Sequence, residues 1–151
     1  FLLNLPHLRY ALIIVLFLNN KLYKIVMEKI FSEIFSDLHK TGFKQENPFE
    51  NFLFNTKHHV VIIFYIASQP GRKSTLEEIC YNVSPKIISR STIQNILKEG
   101  VNINFLKKEV SEKDKRSKFY KLTDGALDLL EKWAHRQKKV FSKINDLSNF
   151  K

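Results

Sequence analysis

From Met27 to Lys40 the apolar positions 27, 30, 31, 34, 35 and 38 form one stripe, with Glu28, Lys29, Glu33 and Lys40 off it. This spacing predicts an amphipathic helix that opens at Met27 and stops at Thr41-Gly42. The next stretch, KQENPFEN, contains Pro48 and reads as a loop or short turn. Thr56 to Ser68 (TKHHVVIIFYIAS) is apolar almost all round from Val60 to Ala67. Alone, that run suits a buried strand too, but its length and the Gln69-Pro70-Gly71 stop favour a central buried helix. Ser74 or Thr75, with Glu77 or Glu78 three residues on, offers overlapping capping boxes for another helix, and Asn82-Val83-Ser84-Pro85 makes a turn. Ser89 is the expected cap of the following helix, although Pro85 at a first helical position would start it a turn earlier, and Gly100 is its expected end. Phe105 to Val110 and Lys118 to Leu122 read as two strands, with Ser111-Glu112-Lys113-Asp114 at the tip between them. Thr123 then caps a last helix with a stripe of Ala126, Leu127, Leu130, Trp133, Ala134 and Phe141.

The helix SRSTIQNILKEG has two unlike faces. Ile93, Ile96 and Leu97 lie on one side, while Ser91, Gln94, Asn95 and Lys98 follow i, i+3, i+4, i+7 on the other. Hydroxyl, amide and ammonium groups are the side chains that bond base edges and phosphates in a major groove. Such a helix, followed by a lysine-studded hairpin, has the layout of a recognition helix and a wing.

Asp114-Lys115-Arg116, then SKFYK, then Leu122-Thr123 resembles the wing of the MarR (multiple antibiotic resistance regulator) transcription factors. That wing carries D-x-R followed five residues later by L-T. The family usually continues L-T-x-x-G; here Ala126 holds the glycine slot and Gly125 comes one residue early. The resemblance covers roughly residues 55 to 133. It implies a mainly α fold with a small β-wing, a winged helix-turn-helix with N- and C-terminal dimerisation helices, and hence a homodimer. The function implied is a sequence-specific, double-stranded-DNA-binding transcriptional regulator, a repressor, working in the cytoplasm.

Charge fits that picture. The chain has 151 residues and a formal net charge of +10, from 25 Lys+Arg against 15 Asp+Glu. Such an excess favours a polyanionic partner, nucleic acid before an acidic membrane surface. Between Lys86 and Lys121 ten basic residues face four acids, a local excess of six. The candidate DNA-binding residues are Arg90, Ser91, Gln94, Asn95 and Lys98 on the helix and Lys113, Lys115, Arg116 and Lys118 on the wing. Gln94 and Asn95 suit bidentate bonds to adenine, and Arg90 suits guanine or phosphate. The lysines suit phosphates. Arg116 has two options, insertion into a minor groove or a salt bridge with Asp114. Asp114 would repel phosphate, so its expected role is to fix the wing turn and orient Arg116.

Other chemistry is sparse. Cys80, the only cysteine, allows no internal disulfide and falls in the apolar series Leu76, Ile79, Cys80, Val83, where it packs as a small hydrophobe. His58 and His59 are adjacent and point about 100° apart on a helix, without further ligands, so no metal site, cofactor or catalytic arrangement is expected. Residues 1–26 are set apart from a domain covering 27–151. Tyr10 to Leu18 is apolar but far short of the ~20 residues that span a bilayer, so the segment reads as upstream translation, or as an added helix at the dimer interface, before a membrane anchor. Two rivals to the regulator remain: a winged helix that binds protein, and a plasmid or phage replication protein on origin DNA. The family resemblance also allows a small-molecule effector.

Overall fold

The computed structural model describes residues 6–43, 46–83, 86–112, 114 and 116–148, and in the two long terminal helices the side chains of 15–40 and 124–144. Among them the order is α1 (Pro6–Phe43), α2 (Pro48–Phe54), α3 (Lys57–Ser68), β1 (Lys73–Thr75), α4 (Leu76–Asn82), α5 (Arg90–Asn102), β2 (Leu106–Val110), β3 (Lys118–Leu122) and α6 (Asp124–Ser148), with a 3-10 turn at Pro70–Arg72. The chain divides into two compact units. One is His39–Trp133; the other pairs α1 up to Leu38 with α6 from Ala134 onward.

Local sequence starts each helix of the first unit. Thr56 caps α3 by accepting the backbone N–H groups of His58 and His59. Thr75 and Glu78 form a reciprocal capping box on α4, and the Thr75 N–H and Ser74 hydroxyl hold the Glu78 carboxyl below the usual carboxylate range. Ser89 caps α5 through the Thr92 N–H at 3.1 Å. Thr123 accepts the Ala126 N–H at the start of α6, and its hydroxyl donates to the Asn104 carbonyl at 2.9 Å.

Several boundaries differ from the sequence-based expectations. KQENPFEN is not a plain loop: Asn47 accepts the Phe49 N–H at 3.0 Å and Pro48 occupies the first helical position, so α2 begins there. Gly100 does not end α5. It is buried within the helix, where an added Cβ would lie 2.9 Å from both Leu106 Cδ1 and Phe52 Cζ. The helix ends instead at Asn102, two residues before Asn104, which lies in the left-handed region at φ 62°. There the Asn104 and Phe105 N–H groups return to the carbonyls of Val101 and Gly100, at 3.1 and 2.8 Å. That pair of bonds is a Schellman closure, whose left-handed position is usually glycine and sometimes, as here, asparagine. Ser84 and Pro85 lie outside the described residues.

A three-stranded antiparallel sheet of order β1-β3-β2 closes the first unit. Its inner face supplies Leu106, Tyr120 and Leu122 to a core shared with Phe52, Leu53, Ile62, Ile63, Ile66, Ile79, Ile93, Ile96, Leu97 and Phe105. Cys80 packs half-buried against that core. Burying these apolar side chains is the main stabilising term of the unit.

In the second unit α1 runs without a break through Met27, so the helix expected to open there begins at Pro6, and it continues past Thr41-Gly42 to Phe43. The expected single stripe splits in two. Ile30 is buried and Met27 and Ile34 are half-buried, whereas Phe31 is 61 % and Phe35 68 % exposed. Asp37 accepts from Arg136 Nε and Gln137 Nε2, both at 2.8 Å, and Glu33 pairs with Lys143 of α6. That Lys143 hydrogen bond lowers the Glu33 pKa. The α6 stripe divides similarly: Ala126 and Leu130 are buried, while Ala134 and Phe141 are exposed.

Candidate nucleic-acid interface

Helix α5 is anchored by Ile93, Ile96 and Leu97, which are 1 %, 4 % and 0 % exposed. With those three turned inward, helical geometry turns Ser91, Gln94, Asn95 and Lys98 outward, and all four are exposed. Two members of the candidate set are already engaged. Arg90 Nη2 lies 3.0 Å from Glu77 Oε1 on α4, and the Ser91 hydroxyl lies 2.9 Å from that of Ser89. The partner of Arg90 sits thirteen residues upstream, where helical spacing offers no clue to it.

The buried end of α3 meets the same helix. His59 is 5 % exposed. Its Nδ1 is 2.9 Å from Thr56 Oγ1, and its Nε2 is 3.4 Å from Glu99 Oε2 on α5. The Phe52 ring stands edge-on to the imidazole at 5.1 Å. The histidine therefore joins α3 to the rear of α5.

At the wing, the described residues place Asp114 inside the turn. Its carboxylate accepts the Arg116 N–H at 3.0 Å, its carbonyl accepts the Ser117 N–H at 2.9 Å, and its own N–H reaches Ser111 Oγ at 3.3 Å. Among the described residues its carboxylate makes no ion pair with the Arg116 guanidinium, which leaves that side chain exposed. Lys118 is exposed opposite Val110 at the start of β3. Lys113 and Lys115 lie outside the described residues.

The fold built from these elements (buried α3, a capped α4, the two-faced α5, then β2 and β3 with β1 on the far side of β3) is similar to that of solved structures. The S. aureus MepR–DNA complex matches with a TM-score of 0.56 at 14% identity, covering 85% of this chain and 92% of that one. The fold is a MarR-like winged helix-turn-helix. A mutant of S. aureus MepR bound to oligodeoxyribonucleotide matches at 0.50 and 16% identity, covering 84% and 78%. AbsC, a MarR family transcriptional regulator from Streptomyces coelicolor, matches at 0.47 and 19%, covering 84% and 76%. No protein-family model and no curated protein matches the sequence.

One group of basic residues on this winged helix is not evident from sequence spacing. Lys73, Lys121 and Lys107 stand opposite one another on β1, β3 and β2. Lys107 and Lys121 belong to the basic run of the sequence, but β1 is only three residues long, and its Lys73 joins them through strand register alone.

Proposed function

We propose that the chain is a sequence-specific regulator of transcription, a repressor, that binds double-stranded DNA by laying α5 in a major groove with the wing on the flanking backbone. The observation that carries this reading is the exposed polar face of α5, held outward by three buried aliphatic side chains on a basic winged helix. Gln94 and Asn95 read base edges. Lys98, Lys113, Lys115 and Lys118 neutralise phosphates, and Arg116 follows the backbone or enters a minor groove. Arg90 exchanges the Glu77 carboxylate for DNA. Both of those side chains are more than half exposed, and an ion pair of that kind is worth only ~0–1 kcal/mol. The basic wing separates this reading from a protein-binding winged helix, which has no need of it.

A second copy of the chain covers the exposed apolar residues of the long terminal helices, among them Phe17 at 69 %, Phe31 at 61 % and Phe141 at 49 %. The turns of α1 before Met27 extend that face. Such a homodimer presents two recognition helices to half-sites about one helical turn apart. Among the described residues no helix is long and apolar enough to cross a membrane, and the reading places the protein in the cytoplasm with its DNA.

Gln94→Ala or Asn95→Ala should bring affinity for a selected operator toward that for random duplex, with a loss of about 1–3 kcal/mol per bidentate base contact. Lys98→Ala should weaken both duplexes together. Competition titrations at fixed salt decide it. Equal losses on operator and random DNA for all three variants would remove these amides from sequence readout.

A further inference from the structure

The outer face of the sheet carries a second cationic feature, distinct from α5 and the wing tip. Lys73, Lys121 and Lys107 occupy one register row across the three strands. Neighbouring strands lie about 4.8 Å apart, so the row spans about 10 Å. All three ammonium groups turn toward one carboxylate, that of Glu109: Lys107 Nζ at 3.3 Å, Lys121 Nζ at 3.6 Å and Lys73 Nζ at 3.9 Å. Lys73 Nζ also lies 4.9 Å from the centre of the Phe119 ring. Burial pushes the Glu109 pKa up, but the Lys107 hydrogen bond and the charges of Lys121, Lys107 and Lys73 outweigh it and leave it lowered, so the acid stays ionised. One carboxylate against three lysines leaves the row itself with two positive charges. Glu112, just beyond β2, lines the same groove as Lys73 and Glu109.

We propose that this row is a second phosphate-binding surface for duplex DNA, in which Glu109 occupies the phosphate seat until DNA displaces it. The proposal rests on the DNA-binding reading above and extends it past the half-site. Two observations point to duplex backbone as the occupant. Two of its three lysines stand on β2 and β3, the strands that carry the wing, and the row keeps a net positive charge that complements a phosphate backbone. With its side chains released from Glu109, the row's backbone span of about 10 Å also matches about three nucleotides of one strand, at 3.4 Å of helix axis each. Exchange is cheap, because the carboxylate and the three lysine side chains are 32–49 % exposed and ion pairs at such sites are weak.

The test is a salt titration of DNA binding on a short duplex limited to the selected site and on duplexes with progressively longer flanks. The unaltered protein is compared with Glu109→Gln, with the Lys73, Lys107 and Lys121→Gln triple variant, and with Lys73→Gln alone as a milder change outside the wing strands. Thermal melting verifies folding. On long duplexes the unaltered protein should gain affinity and a steeper salt dependence. Glu109→Gln should gain more, and the triple variant should gain neither, with a slope lower by up to roughly 0.9 per lost phosphate contact. Lys73→Gln should lose part of the gain. On the short duplex all should behave alike. If short-duplex binding is normal but flank length affects every variant equally, the lysine row is not a DNA surface. If the unaltered protein binds no duplex of any length, the DNA-binding reading itself fails and this inference falls with it.

Discussion

Leu97→Ala should lower the unfolding free energy by about 2–5 kcal/mol, the range for deleting a buried leucine side chain when its surroundings close only partly around the cavity. Leu97 is fully buried on the inner face of α5, in the core shared by α3 and the sheet. For a domain with a total stability of roughly 5–15 kcal/mol, such a loss is severe. Equilibrium denaturation by urea measures it, and the midpoint should fall while the slope stays constant. DNA affinity per folded molecule should change far less, because Leu97 faces away from the proposed groove. A variant as stable as the parent would show that α5 is not docked on this core.

Gly100→Val should cost about 1–3 kcal/mol or more through overpacking. Even a single Cβ here would stand 2.9 Å from Leu106 Cδ1 and from Phe52 Cζ, and both of those side chains are buried. The new methyl groups must push either β2 or α2 away from α5. Helix propensity alone argues the opposite, since glycine is the poorest residue for a helix interior after proline. The variant therefore separates propensity from close approach. Raised stability on thermal melting would mean that Gly100 is merely a weak point of the helix.

That same glycine marks where sequence patterns stop informing. A glycine near the end of an apolar period is ordinarily a stop signal, but here tertiary packing requires it. The stop falls at Asn102, just before Asn104, whose left-handed backbone no hydrophobic period announces. Patterns do locate the elements whose start is written in a side chain that bonds its own backbone. Ser89, Thr75 with Glu78, and Thr123 all cap the helices expected of them, and β3 has the bounds read from Lys118 to Leu122. β1 stays hidden because three residues carry no periodicity. Its existence depends on pairing with β3, far along the chain. The Asn47-Pro48 start of α2 is written in the sequence as a cap followed by a first-position proline, but a proline in a polar stretch reads equally as a breaker. In α1 one apolar stripe holds both inward and exposed positions, and hydrophobic spacing cannot say which neighbour each will meet.

The candidate interface divides along the same line. The outward set Ser91, Gln94, Asn95 and Lys98 follows from helical geometry once Ile93, Ile96 and Leu97 are assigned to the core. Partners distant in sequence do not follow: Glu77 for Arg90, Glu99 for His59, and Glu109 for Lys73 and Lys121. Each arises from the way separate elements pack, and each changes how much charge the surface presents.

The central claim is that this winged helix reads duplex sequence as a dimer. The most direct measurement is selection of bound duplexes from a random library at fixed, stated salt, followed by sequencing. The account predicts enrichment of an inverted repeat with half-site centres one helical turn apart, about 34–36 Å. A selected pool no different from the starting library, or no retained duplex at all, would contradict it.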